Sequence, residues 1–491
     1  MNITEPLRRI ARVAPDTVAI VRPDGATVSF QALDRWIDRV VFRARPLALR
    51  PGDIVGVTMT PPYQMEGLVL TLAMARMGVA TVRASLPPER LRLRLFEADD
   101  GPPLSSGNAA FDRAWQTAPS PDEHAPVAAM HEGGAAICQI LSSSGTTGFP
   151  KEIPISHDLM ARRVYGWWLG NGGGTAVRLL EMNLNGSLGL VQILRTLWLG
   201  GTVVLPNRQD PAGTIARHGV TTIFVPPFAM AGLIDALPPG AGPFPTLRTI
   251  ESGGSFLPPD LAARAAARLC PTVISNFGAT EAGIVASAPM AALTAHPGAV
   301  GYVFPGVTVE ATTENGNPLP AGTEGLLRFR GDMVASAYLW DDKASRTAFR
   351  GGWYRGGDLG SVGPDGMLYL SGRVADVIDV GGQKIAPRAI ELGLMALPEI
   401  ADAAVFGVPD AAGIAQVWAA VLSDRPLDRA ALTGFRDSLP AWQAPRAILR
   451  VQALPRNPAG KIQRDKLVAL ARQIERAPDD GVLEVFQLDR A

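Results

Sequence analysis

The feature that most restricts the fold is an alternation of short apolar runs with amphipathic ones. Within residues 27–95, "TVSFQALDRWIDRVVFRA" begins as a strand and continues with apolar residues at helical spacing. "GDIVGVTM" reads as a short apolar strand, and "MEGLVLTLAMARMG" as a helix ending at Gly78. Strand, helix, strand, helix is the pattern of a parallel sheet covered by helices. It returns over 188–228, in "LGLVQILRTLWLGG", "TVVLP", "TIARHG" and "TTIFVPP", and again over 248–287. A chain of 491 residues has room for about two to four domains.

Between and after these repeats the character changes. Residues 101–135 are rich in Pro, Ala, Gly and Ser without a period and read as a surface connection. Residues 300–372 carry short strands between glycine turns, as in "GLLRFRG", "GWYRGGDLG" and "DGMLYLSGR", and predict a small β-rich unit. Past Gly372 the pattern is mixed α+β ("AIELGLMALPEI", "ADAAVFGVPD", "VWAAVLSD"), which places a boundary near 372–376.

Composition excludes several classes. A hydrophobic share of 47% against 19% charged residues is enough for a large core. Lys plus Arg and Asp plus Glu both total 46, a neutrality that argues against a nucleic-acid binder working by phosphate neutralisation. Cys138 and Cys270 make neither a disulfide framework nor a zinc set, and the five histidines have no metal spacing, so a reducing cytoplasm is the simplest setting. "MNITEPLRRIARVAPD" lacks the apolar core of a signal peptide, and Arg76 and Gly78 break the most apolar stretch, so no transmembrane segment is predicted.

Only five lysines occur, at 151, 343, 384, 461 and 466, while the other 41 cationic side chains are arginine. A chain that prefers arginine this strongly draws attention to each lysine, because a compact ammonium and a guanidinium fork are not interchangeable at a reacting centre. Lys151 closes "LSSSGTTGFPK" (141–151), which holds five hydroxyls and two glycines. The stretch fails the Walker pattern: Pro150 stands at the second glycine position and Glu152 follows the lysine. Its chemistry still suits a polyphosphate, with bare backbone N–H groups, hydroxyl donors and a cation. A Ser/Gly linker would share the composition, and the residues alone leave both open.

"SSSGTTGFPK" resembles the phosphate loop of the AMP-forming adenylating enzymes: acyl- and aryl-CoA synthetases, peptide-synthetase adenylation domains and luciferases. Further motifs resemble that superfamily's in order: "ESGGSFLPPDL" (251–261), "NFGATEAG" (276–283), "GLLRFRGDMVASAY" (325–338), "WYRGGDLG" (353–360), "GRVADVIDVGGQKIAPRAIE" (372–391), "LPAWQAPR" (439–446) and "NPAGKIQR" (457–464). The resemblance implies an α/β fold with two parallel-type αβαβα sheets and a small β-barrel over 1–373. A small mobile α+β domain would follow over 374–491. It also implies a two-step reaction, in which a carboxylate attacks the α-phosphorus of ATP and a thiol then attacks the acyl-adenylate.

Residue by residue, the resemblance assigns the β- and γ-phosphates to Ser142, Ser143, Ser144, Gly145, Thr146, Thr147, Gly148 and Lys151. Gly253 and Gly254 would line the adenine pocket with Asn276, Phe277 and Gly278. Thr280 would reach the α-phosphate, Glu281 would hold Mg²⁺, and Asp358 and Arg373 would bind the ribose. Lys461 would bridge the carboxylate and the α-phosphate, and Gly381, Gly382 and Lys384 would line a thiol tunnel once the C-terminal domain has turned. By the same resemblance Asn185 would fall in the acyl pocket, where amino-acid activators place an Asp; a neutral amide there argues against an amino acid substrate. Alternatively it caps a helix beginning near Ser187.

Three positions depart from the pattern: Gly356 replaces a threonine, Ala375 takes a usually polar hinge position, and Arg388-Ala389 replaces a more usual x-Glu pair. "GGQKIAP" resembles the CoA ligases more than the amino-acid-activating domains, which implies a ligase using ATP, Mg²⁺ and coenzyme A on a small carboxylic acid. The alternatives are a stand-alone ligase loading the phosphopantetheine of an acyl or aryl carrier protein, and a degenerate nucleotide-binding module.

Overall fold

The computed structural model describes residues 1–58, 64–83, 86–97, 108–111, 127–143, 151–171, 175–181, 187–381, 383–410, 414–456, 462–474 and 482–487. Two sheets carry the part before 373. One has six strands, in the order Asn108–Phe111, Leu93–Glu97, Ile54–Thr58, Ala80–Arg83, Ile137–Ser143, Lys151–Ser156. All neighbours are parallel except the last pair. The strand Asn108–Phe111 lies inside the stretch read as a surface connection; four residues are too short to show a period.

The second sheet runs in parallel from Val18–Val21 through Thr202–Val204, Val177–Leu180, Thr222–Phe224 and Thr249–Gly253 to Val273–Ala279. It then continues antiparallel through Gly283–Pro289 and Ala299–Val303 into Met367–Arg373, Asp358–Val362 and Gly325–Gly331. The β-rich unit expected over 300–372 is therefore hydrogen-bonded to the end of the parallel sheet.

Helices fill the space around the sheets. Phe30–Arg43 starts at Ser29, whose hydroxyl accepts from the Ala32 amide at 3.2 Å. Gln64–Arg76 is the apolar stretch the sequence singled out, and Leu68 to Ala75 are at most 3% exposed, so this helix is buried on every face. Arg76 ends it as a buried ion: its guanidinium lies 2.6 Å from Asp34 and 2.6 Å from Asp38. Among the described residues no helix is long and apolar enough to cross a membrane.

After Arg373 come a turn, Val374–Asp376, a hairpin of Ile378–Val380 with Gln383–Ile385, and the helix Pro387–Met395. A four-stranded sheet follows, formed by Asp402–Pro409, Ala415–Leu422, Ala447–Val451 and Val482–Gln487. Its first strand alternates cleanly. Ala403 and Val405 join the core with Ile390 and Leu394, whereas Ala404, Phe406 and Val408 join Leu467 and Ala471 on the other face.

Candidate active site

The carboxyl ends of the parallel strands open into one cleft of about 2090 Å³, closed on the far side by residues after 373. Open α/β sheets bind ligands at this end, because the loops leaving the strands diverge there. The strand Thr249–Gly253 delivers Gly253 and Gly254; a Cβ on Gly253 would stand 3.2 Å from the Asn276 carbonyl oxygen, and Gly254 has φ 96°. Asn276 ties the neighbouring strands together. Its Nδ2 donates to the Ser252 carbonyl at 3.1 Å, and its Oδ1 accepts from Ser287 Oγ at 2.9 Å. That oxygen keeps a second lone pair. Phe277, half-buried, lines the cleft with its ring edge-on to Phe329 at 6.3 Å.

Thr280 and Glu281 sit at the tip of the hairpin between Val273–Ala279 and Gly283–Pro289. Glu281 is 7% exposed, and its Oε1 accepts from Tyr338 Oη at 3.0 Å. Tyr354 donates in turn to Tyr338. Burial, and then the Glu281 charge, raise both phenols above their ordinary range, so they remain neutral donors. The tip is also held from behind. Arg163 Nη2 donates to the carbonyls of Thr280 (2.9 Å) and Glu281 (3.2 Å), and its Nε donates to Met333 at 3.1 Å. Burial pulls this guanidinium down to about 10, which leaves it charged at neutral pH.

Asp358 and Arg373 face each other in register on paired strands, with Arg373 Nε donating to Asp358 Oδ1 at 2.7 Å. Asp358 is 3% exposed and its Oδ2 has no partner among the described residues, although the residue lines the cleft. A Cβ on Gly356 would lie 3.2 Å from that Oδ2 and 3.0 Å from Tyr354 Oη. Glycine in place of the usual threonine thus leaves the approach to Asp358 open.

Ser142 and Ser143 end the strand Ile137–Ser143, and Lys151 begins the antiparallel strand paired with it, opposite Ser143. Ser144, Gly145, Thr146, Thr147 and Gly148 lie outside the described residues. Ser142 Oγ donates to Glu152 Oε2 at 2.7 Å, and burial raises the Glu152 carboxyl above its ordinary value. The Leu339 amide donates to the Glu152 carbonyl at 2.7 Å, and Lys151 Nζ stands 5.2 Å from the centroid of the Tyr338 ring. The base of the loop is thereby fixed to the segment that grips Glu281.

On the facing side Arg456, Ile462, Gln463 and Arg464 line the cleft, flanking Lys461, which is itself outside the described residues. Gly381 and Lys384 are exposed on the hairpin and do not line it; Gly382 is outside the described residues. Asn185 is also outside them, and the helix Ser187–Leu197 begins two residues later. That helix contributes Leu188 and Val191 to an apolar part of the cleft, together with Trp167, Phe224 and Ile284. Behind Trp167, Arg195 lies 5.0 Å from its ring centroid and 2.7 Å from buried Glu251.

Tyr338 and Tyr354 stand inside two of the motifs, where the sequence alone assigns them no role, and none of the motifs contains Arg163. The signal for Arg163 was its place on the helical stripe Met160, Val164, Trp167, where a charge has no reason to sit unless it is bonded.

The chain is similar to known proteins along nearly its whole length. Residues 7–339 match the model of a family described as AMP-binding enzyme. Residues 389–461 match that of the AMP-binding enzyme C-terminal domain. A sulfoacetate–CoA ligase of Cupriavidus necator is 28% identical over 487 residues, covering 92% of this chain and 95% of the relative. A salicylyl-CoA synthase / salicylate adenylyltransferase of a Streptomyces species is 29% identical over 531 residues, covering 97% and 94%. The crystal structure of ATP-bound MatB from Rhodopseudomonas palustris shares the fold, with a TM-score of 0.82 at 24% identity over 96% of this chain and all 100% of that one.

Proposed function

The chain belongs to the AMP-binding enzyme family, and we propose on that premise that it is an ATP-dependent carboxylate–CoA ligase of the AMP-forming type. In the first half-reaction a carboxylate oxygen bonds to the α-phosphorus of ATP and pyrophosphate leaves. In the second a thiol sulfur bonds to the acyl carbon, the C–O bond to AMP breaks, and AMP departs with the former carboxylate oxygen. The observation that carries the reading is convergence. Lys151, Glu281 and the Asp358–Arg373 pair come from four separate strands or turns and line one cleft, and residues on both sides of Lys461 line it too.

The first step joins two anions, so the site must neutralise charge and fix an in-line approach. Lys151 supplies charge beside the phosphate loop, assigned here to the β- and γ-phosphates. Thr280, on a tip braced by Arg163, is assigned to the α-phosphate. Asp358 Oδ2 offers an acceptor for a ribose hydroxyl, and Arg373 a donor. The Phe277 ring is assigned to the adenine face, with Asn276, Gly278, Gly253 and Gly254 around it. Lys461 is assigned to the bridging position between the two anions. Mg²⁺ fits Glu281: Tyr338 holds one carboxylate oxygen and the other has no partner among the described residues, while this ion commonly takes one carboxylate and completes its shell with phosphate and water oxygens. Bound there with ATP, it would neutralise polyphosphate charge.

The substrate is a small carboxylic acid. The curated relatives named above act on sulfoacetate and salicylate, two acids of different shape, so the choice of acid here falls to the apolar wall around Trp167 and Phe224. Gly381, Gly382 and Lys384 are assigned to the thiol path in a second orientation of the part after 373. We place the acceptor as free coenzyme A, with carrier-protein phosphopantetheine as the other source of the same thiol. A pyrophosphate-release screen over aliphatic, aromatic and hydroxy acids, run with free CoA and with a holo carrier protein, tests this. Acid-dependent thioester on CoA supports the reading. Acylation of the carrier alone replaces it with the carrier-loading one, and no acid-dependent release with either defeats both.

A further inference from the structure

One chain of side-chain contacts crosses the cleft and is not explained by nucleotide or acid binding. It starts at Phe256, two residues past Gly254. The Arg388 guanidinium carbon stands 3.6 Å from the centroid of the Phe256 ring. Arg388 lies in the first turn of the helix Pro387–Met395, and its Nη1 is 3.7 Å from Glu391 Oε2. Glu391, 3% exposed, accepts from Arg464 Nη2 at 2.6 Å and from the Val405 amide at 3.0 Å. Arg464, three residues past Lys461, donates with Nη1 to Asp376 Oδ2 at 3.1 Å and with Nε to the Val405 carbonyl at 3.0 Å. Asp376 ends the turn Val374–Asp376 that leaves Arg373. All five side chains line the cleft.

We propose that Arg388 is a positioning residue: its stacking on Phe256, relayed through Glu391 and Arg464 to Asp376, holds the part after 373 in the orientation that presents the Lys461 segment to the nucleotide side of the cleft. The assignment rests on the ligase reading for its purpose, since the first half-reaction is the one that uses this orientation. Four members of the relay belong to the part after 373 and travel together when it turns. The Phe256–Arg388 contact is the one that breaks. A guanidinium on an aromatic face is attracted by the ring quadrupole, more strongly when it is desolvated, and burial already pulls the Arg388 guanidinium below its ordinary value. The hinge needs such a contact, because Ala375 has no polar group of its own to hold either orientation.

The test is a distance measurement that needs neither acid nor thiol. Nitroxide labels go on Ala263→Cys and Arg429→Cys, both exposed, one on a helix before 373 and one on a helix after it, while Cys138 and Cys270 are buried. Pulsed dipolar spectra are taken for the unliganded protein and with MgATP. In the parent protein the distance given by this structure dominates. Arg388→Gln lowers the ratio of that population to the others by roughly 2- to 30-fold. Phe256→Leu does the same without touching Glu391, Arg388→Lys recovers part of the loss, and the double variant is no worse than either single one. Unchanged distributions in Arg388→Gln, or in Phe256→Leu, overturn the proposal. Should Arg388→Gln fail to fold, Phe256→Leu alone decides. Absence of ligase activity in the screen above leaves this result standing, and an unchanged distribution leaves the ligase reading standing.

Discussion

Replacing Tyr338 by Phe removes one oxygen and little else. The ring remains edge-on to Phe349, with centroids 5.1 Å apart, and Lys151 remains over its face. What is lost is the 3.0 Å bond to Glu281 Oε1, together with the acceptor that Tyr354 uses. A hydrogen bond to an ionised group contributes about 1.5–3 kcal/mol net. If that energy keeps Glu281 aimed at the cleft, MgATP binds roughly 10- to 160-fold more weakly in Y338F. The loss should be greatest at limiting Mg²⁺, because the perturbed group is the proposed ion ligand, and binding of AMP without metal should change little. Calorimetric titration of MgATP at several Mg²⁺ concentrations measures this without knowledge of the acid. Wild-type affinity and Mg²⁺ dependence in Y338F would refute the claim that the phenol relay organises Glu281.

Arg163→Met leaves the Met333 and Thr280 carbonyls without this donor, while the Glu281 carbonyl keeps the Ala335 amide at 2.7 Å; at about 1–3 kcal/mol for each buried unsatisfied acceptor this should lower stability in chemical denaturation by about 2–6 kcal/mol; Arg163→Lys should recover part of it. Lys461→Ala should abolish adenylation while sparing thioester formation from premade acyl-adenylate, and equal loss of both half-reactions would contradict its assigned role. Buried His157 accepts from the Ile3 amide at 3.1 Å, and burial pulls its imidazole down to about 4. The unfolded chain, with an ordinary histidine value, binds the proton more readily, so this contribution is complete above about pH 6.5 and is lost as the pH falls towards 4, by about 2 kcal/mol at pH 5. Denaturation curves from pH 7 to 5 should show the loss in wild type and a smaller one in His157→Asn, which keeps an acceptor but cannot titrate.

What could be read in advance was what is local in the chain. The strand–helix alternation marks Phe30–Arg43 and Gln64–Arg76 because burial on one face, or on all, imposes its period within a few turns. Motif residues such as Thr280, Glu281 and Asp358 stand out because each motif is contiguous. The contacts that make those residues work are distant: Arg163 reaches Thr280 across 117 positions, and Tyr338 reaches Glu281 across 57. No local pattern encodes such a pairing; only the charge on an apolar stripe hints at it. The Arg388–Phe256 contact is invisible for the same reason, since its two residues lie 132 positions apart and Arg388 stands where the expected pair admits any residue. The N-terminal helix Glu5–Val13 and strand Val18–Val21 lie before the alternation that is legible from residue 27, and at 9 and 4 residues they are too short to establish a period of their own.

The central claim is that a carboxylate oxygen attacks the α-phosphorus in this cleft. It is tested most directly with an acid from the screen labelled with ¹⁸O at both carboxylate oxygens, turned over with MgATP and CoA, and the products weighed by mass spectrometry. The account predicts AMP carrying one ¹⁸O, unlabelled pyrophosphate, and a thioester that keeps the other. Unlabelled AMP, or label in a phosphate released beside ADP, would contradict it.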